Sequence, residues 1–330
     1  MVDADIWVMD PATQYIDEIQ PLKDTDLQRV RGVEGVQWAV RLFKGLPRMT
    51  APDGQFRQVI LMGLDDATLV GAPHGKMRVG RIEDLRQPNA IILDYAGYRY
   101  FFPEGEVTLP RTFEVNGRMV RLVGVADASA PFATFPVAFA RYSEALGFQG
   151  LERNQMSFVL AKAVPGVDRQ ALTERIRAAT GLWAQTREDF AWQNMSYYLR
   201  NTGIPVNFGI TISIATLVGI VVMGQTFYIF TLENLKQFGT LKAIGVGNWT
   251  LTRMILLQAF VVGAIGYSLG MFLCASFFQI TQQNLPTRGL ILLPEAMLGV
   301  GLTVFVIVAL ASVLSLRRVL VLEPAVVFRT

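Results

Sequence analysis

The stretch Gly71-Ala72-Pro73-His74-Gly75-Lys76-Met77 carries the glycines and the lysine with which a phosphate-binding loop holds a nucleotide. Such a loop needs four residues between its glycines and a Ser or Thr hydroxyl for magnesium. Here three residues separate Gly71 from Gly75, and Met77 holds the hydroxyl's place, so nucleotide chemistry is excluded. Gly245-Val246-Gly247 lacks the third glycine of a dinucleotide loop. His74 is the single histidine and Cys274 the single cysteine, which excludes a disulfide framework and leaves a zinc site without ligands. Asp65-Asp66 and Asp94 are carboxylates without an acid/base partner in the sequence. No catalytic group, cofactor or metal is expected. The chemistry that remains is surface recognition. Leu232, Leu235, Phe238, Leu241 and Ile244 recur every three residues, while Glu233, Lys236 and Lys242 lie off that stripe. This suits a short amphipathic helix lying beside a membrane or in a partner's groove. Gly245 and Gly247 would end it.

The segments flanking that helix must position it, and they are unlike the rest of the chain. Of 330 residues 52% are apolar and 17% charged, with a mean hydropathy of +0.35; soluble chains average about 25% charged. Residues 1–205 hold 23 Lys+Arg and 24 Asp+Glu, whereas residues 206–330 hold 7 and 3. The net charge of +3 is too small to imply a nucleic-acid partner. No charge occurs between Arg200 and Glu233, between Arg253 and Arg288, or between Glu295 and Arg317. A helix needs about 20 apolar residues to cross a hydrocarbon core. Spans are therefore expected at about 208–232, 254–280 and 296–316, with a helix at 233–245 joining the first two. Gly266 and Gly270 form a GxxxG in the second span, and Gly263 lies one turn earlier; small residues at that spacing let helices approach. Cys274 reads as a small apolar residue. Pro294-Glu295 suits the opening turn of the third span.

Lys236, Lys242 and Arg253 in the first loop, and Arg317, Arg318 and Arg329 in the tail, place those segments in the cytoplasm. The loop at Arg288 and the whole of residues 1–205 then lie outside. The chain opens Met1-Val2-Asp3-Ala4-Asp5, neither a signal peptide nor a span. The expectation is that an upstream helix absent from this chain delivers the domain; otherwise the domain is cytoplasmic and the charge rule is broken.

Residues 1–205 read as mixed α and β. Ile6–Met9 is a strand, and Thr25 or Asp24 is expected to cap a helix running to Val30. Val36–Phe43 and Phe56–Leu64 flank a turn at Ala51-Pro52-Asp53-Gly54. Thr112–Val115 and Met119–Val125 flank Asn116-Gly117, a type I′ hairpin turn. Ser157–Ala163, the Pro165-Gly166 turn and a helix over Asp168–Ala179 form a strand–helix unit. Tyr95, Tyr98, Tyr100 and Phe101-Phe102 read as core or strand packing. The fold expected is an α+β extracytoplasmic domain, 1–205, followed by an all-α membrane domain of three transmembrane helices, 206–330.

The segment Gln237-Phe238-Gly239-Thr240-Leu241-Lys242-Ala243-Ile244-Gly245 resembles an "E-F-G-x-L-R/K-A-I-G" element of MacB/FtsX-like ABC transporter permeases. Arg317-Arg318…Glu323-Pro324-Ala325…Arg329 is similar to that family's C-terminal ending, and Thr202-Gly203-Ile204 leans toward its DevC-type exporters. Gln237 departs from the family's acidic residue. The resemblance implies a first helix, a large extracytoplasmic domain and three further helices, of which this chain matches all but the first. It implies an inner-membrane subunit that is not itself an enzyme and pairs with a separate ABC ATPase. That ATPase would dock on Glu233, Leu235, Phe238, Gly239, Leu241, Lys242, Ala243, Ile244 and Gly245, burying Leu235, Phe238 and Leu241. A second permease copy, a periplasmic adaptor and an outer-membrane channel are its further implied partners. Export is the leading reading. The alternatives are a mechanical signalling permease acting on a cell-wall hydrolase, a lipoprotein-release subunit, or a truncated inactive permease. An intramembrane enzyme is excluded, because the uncharged spans hold no Asp or His.

Overall fold

Successive residues of a strand point to opposite faces of its sheet, and in β1 (Ile6–Met9) both faces are apolar and covered. Ile6 and Val8 join one core, Trp7 and Met9 another. The computed structural model repeats this pattern in β7 (Ala90–Asp94), where Ile91 and Leu93 face the first core and Ala90 and Ile92 the second. It describes residues 4–18, 20–50, 54, 56–103, 106–128, 135–150, 155–284 and 292–321. They fall into two compact units, one built on Met1–Thr202, the other on Gly203–Ile280 with the last helix.

The first unit continues from β1 through α1 (Asp24–Arg31), β2 (Val36–Gly45), β3 (Arg48–Thr50), β4 (Phe56–Gln58), β5 (Ile60–Leu64) and β6 (Met77–Val79). A 3-10 turn over Ile82–Arg86 leads into β7 and α2 (Tyr95–Phe101). Then come β8 (Arg111–Val115), β9 (Arg118–Ala126), β10 (Val137–Arg141), α3 (Tyr142–Gln149) and β11 (Phe158–Ala163). The unit closes with α4 (Arg169–Thr180), β12 (Trp183–Thr186) and α5 (Arg187–Asn201). Among the described residues the strands form one sheet in the order β12-β1-β11-β2-β5-β10-β7-β9-β8-β3-β4, with β6 on β9. Only the β5–β10 and β7–β9 pairs are parallel. Residues of α1 to α4 enter the first core, among them Leu27, Tyr98, Tyr142 and Leu172. Phe190 of α5 enters the second, against Trp7 and Phe158 at ring separations of 5.2 and 5.9 Å.

Local expectations meet these elements closely. Asn116 and Gly117 take φ of 45° and 80°, the left-handed pair that a type I′ turn requires, and Val115 pairs with Arg118. Asp168 caps α4, accepting from the N–H groups of Gln170 and Ala171, and Gly181 closes it at φ 71°. α1 differs: its cap is Lys23, not Thr25 or Asp24, because the Asp26 carboxylate turns back to accept the Lys23 N–H at 3.0 Å. The expected strand Phe56–Leu64 divides at Val59, whose N–H donates to the Pro47 carbonyl where Pro47 separates β2 from β3. Of the turn at 51–54 only Gly54 is described; Ala51, Pro52 and Asp53 lie outside the described residues. The aromatic run is core packing, as expected, but on a helix: Tyr98 and Phe101 are buried from α2, while Tyr100 is exposed.

The second unit consists of α6 (Ile204–Glu233), α7 (Leu235–Ala243), α8 (Asn248–Asn284) and α9 (Pro294–Val321). Three of these, α6, α8 and α9, are long and apolar enough to cross a membrane. At 1.5 Å per residue the 30 residues of α6 reach about 45 Å. Phe227 of α6, Ala259 of α8, and Val308 and Ala311 of α9 make one buried seam.

Candidate functional site

α7 is the amphipathic helix that the three-residue stripe foretells, but it is shorter than 233–245. Glu233 ends α6, Asn234 carries the break, and Ile244 and Gly245 form the closing turn. The break is held locally: Asn234 Nδ2 donates to the Phe230 carbonyl at 2.9 Å, and the Asn234 carbonyl accepts the Phe238 N–H at 3.0 Å. The C-terminal end is a complete Schellman motif. Gly245, at φ 96°, donates its N–H to the Lys242 carbonyl, and Val246 donates to that of Leu241, at 3.1 and 3.0 Å. Val246 and Leu241 join the same apolar cluster, the contact that accompanies this motif.

The middle of the stripe finds cover within the chain, while Leu232 and Ile244 at its ends stay exposed. Phe238 is 5% exposed and packs with Leu251 and Ile255 of α8, with Phe230, Leu241 and Val246 around them. The short link folds α7 back onto the start of α8, so Phe238, expected at the ATPase contact, is covered within this chain. Gly239 is also buried, and Leu235, Leu241 and Lys242 are half-buried. Glu233, Lys236, Gln237, Thr240, Ala243, Ile244 and Gly245 are exposed. Ile244 is 73% exposed and Trp249, at the start of α8, 71%. Trp249 escaped the sequence reading because it lies beyond the stripe, though a Trp two residues after Gly247 was the visible signal.

The glycines of the second span separate into two kinds. A Cβ on Gly263 would stand 2.8 Å from Val308 Cγ2, so α9 packs directly against that backbone. At Gly266 and Gly270 a Cβ would meet nothing within 4 Å. Among the described residues, the GxxxG pair therefore packs on nothing, while Gly263 packs on Val308. Tyr267, on the same side as Gly263, lies against Gly301 of α9, and Phe260 meets Phe305 edge-on at 5.8 Å. Arg317 and Arg318 fall on α9; Pro324, Ala325 and Arg329 lie outside the described residues.

Polar groups of the first unit are structural. Asp65 accepts from the Thr68 N–H and hydroxyl, and Asp66 from those of Ser143. Asp94 is 1% exposed, accepts the Val137 N–H at 2.8 Å and sits over Gly97, where any side chain would collide with it. Burial pushes its pKa up to about 6 against the opposing pull of backbone N–H groups. His74 is exposed in its loop. Among the described residues no three His, Cys, Asp or Glu side chains come together as metal ligands.

Residues 209–324 match the family described as FtsX-like permease C-terminal. An uncharacterised ABC transporter permease of Mycobacterium tuberculosis is 26% identical over 317 residues, covering 93% of this chain and 79% of that protein. Another, of Mycobacterium bovis, is 28% identical over 324 residues with the same coverage. Among solved structures, the periplasmic region of MacB from Actinobacillus actinomycetemcomitans aligns with a TM-score of 0.46 and 17% identity, over 59% of this chain and 94% of that one. The extracellular domain of the ABC-type transporter YknZ from Gram-positive bacteria aligns with a TM-score of 0.41 and 13% identity, over 56% and 98%. Along 93% of its length the chain is thus similar to ABC transporter permeases, and over residues 209–324 it matches the FtsX-like permease domain.

Proposed function

We propose that this chain is the permease subunit of an ATP-driven exporter and that a separate ATPase docks on the exposed side of α7. The supporting observation is the division of that helix: Phe238 is locked into the chain, while Ile244 and Trp249 stand open beside the Schellman turn. Large apolar side chains at the centre of a contact supply most of its free energy. Lys242 and Glu233 lie at the rim of the contact, where charges govern association rate more than final affinity. ATPase closure pushes α7. Because Phe238 and Leu241 fasten α7 to α8, the push moves the helices as a body rather than being absorbed by a loose loop. The spans carry the movement to residues 1–202, which lie outside the cytoplasm of an inner membrane. Two permease copies and two ATPases form the working unit, and an adaptor with an outer-membrane channel extends the path. Co-purification of the ATPase tests the docking. Ile244→Asp with Trp249→Ala is expected to abolish it at unchanged permease yield. Undiminished co-purification would sink the assignment.

A further inference from the structure

The two halves of α5, the last helix before the spans, are held by different means. Its first turns are anchored by Phe190, the helix's one buried residue. Beyond it, Trp192, Met195 and Leu199 are 62%, 51% and 52% exposed on one side. The other side meets residues 13–18. Gln193 Nε2 donates to the Gln14 carbonyl at 2.8 Å, and Asn194 Oδ1 accepts the Ile16 N–H at 2.6 Å. Tyr197 stacks on Tyr15 at 4.0 Å. The Tyr198 hydroxyl donates to Asp17 Oδ2 at 2.6 Å. Asp17 in turn forms an ion pair with Lys44 of β2, a lysine only 4% exposed, whose Nζ also donates to the Ile16 carbonyl at 3.1 Å. Ser157, just before β11, fixes Lys44 from behind, its Oγ accepting the Lys44 N–H at 2.9 Å.

We propose that Lys44, Asp17 and Tyr198 form a latch that fastens the membrane-proximal half of α5 to the sheet, so that helix and sheet move together. Lys44 is buried, so removing Asp17 would strand its charge away from water, and the Tyr198 hydroxyl holds Asp17 in place. The latch joins positions 17, 44 and 198, on three segments remote in sequence. Burial would raise the pKa of Asp17, yet the hydrogen bonds from Lys44 and Tyr198 outweigh it and hold the carboxyl below its ordinary value. With the hydrophobic anchor confined to Phe190, opening the latch leaves only the Gln193, Asn194 and Tyr197 contacts to hold the second half of α5, and the sheet stays intact. The transmission role rests on the exporter reading above; the existence of the latch does not.

Hydrogen exchange on the full chain in detergent, without ATPase, tests the latch. Tyr198→Phe removes one oxygen and Asp17→Asn one charge, both without loss of volume. Each is expected to speed exchange of amides 194–201 tenfold or more, with α4 unchanged. Unchanged exchange in α5, or an equal rise in α4, overturns the latch. Transmission is read in the complex with its ATPase. ATP is expected to alter exchange of residues 13–18 in the parent protein and not in Tyr198→Phe. An equal response in the variant overturns the coupling role. A parent protein without any response removes coupling and the docking reading together, while the ATP-free measurement still decides the latch.

Discussion

The Tyr267 hydroxyl donates to the Met297 carbonyl at 2.8 Å, and its ring lies 3.3 Å from where a Cβ on Gly301 would stand. This contact fixes the register of α8 on α9. In hydrocarbon no water competes for the hydroxyl, yet such bonds contribute only about 0.5–1.5 kcal/mol. Tyr267→Phe is expected to lower the unfolding free energy in detergent by that amount. Gly301→Leu should cost more, because the ring has to leave.

Gly263 and the GxxxG pair should behave in opposite ways. Val308 occupies the space beside Gly263, so Gly263→Leu overpacks the seam at a cost of about 1–3 kcal/mol. Gly266→Leu and Gly270→Leu meet open space among the described residues and should leave the melting temperature in detergent nearly unchanged.

Asp94 makes the first unit sensitive to pH. Its pKa rises from 3.8 to about 6 on folding, because burial disfavours the charged form. The folded protein thus holds this proton more tightly than the unfolded chain. The stabilisation is full below pH 3.8 and is lost as pH rises through about 6. Roughly two units correspond to about 3 kcal/mol. Asp94→Asn should flatten this part of the stability curve between pH 4 and 7, measured by chemical unfolding followed through tryptophan fluorescence.

The local elements were legible because short-range chemistry dictates them. Asn116-Gly117 has few ways to turn, and uncharged runs of this length form long helices. The sheet order was not legible, because the β5–β10 and β7–β9 pairs join strands whose spacing carries no mark of a partner. α5 went unrecognised, since its single core residue, Phe190, gives no periodic signal. Asp94 read only as a carboxylate without a partner, and nothing in the sequence marked Lys44; the fold buries both. For α7, the three-residue repeat marked Ile244, which is exposed, as well as Phe238, which is buried, and periodicity cannot say what covers Phe238. Leu251 and Ile255 do.

Residues 1–202 are expected on the outer side of the membrane. In a Cys274→Ala background, Lys76→Cys lies in an exposed loop. A membrane-impermeant thiol reagent should label it in cells opened only at the outer membrane, while Lys236→Cys should stay unlabelled until lysis. The reverse pattern contradicts the orientation.

The most direct test of the docking helix is a photoreactive side chain placed in turn at Ile244 and at Phe238 in living cells. A crosslink to the ATP-binding subunit is expected from Ile244, and from Phe238 only crosslinks within the permease. No ATPase adduct from Ile244, or an equally strong one from Phe238, would contradict it.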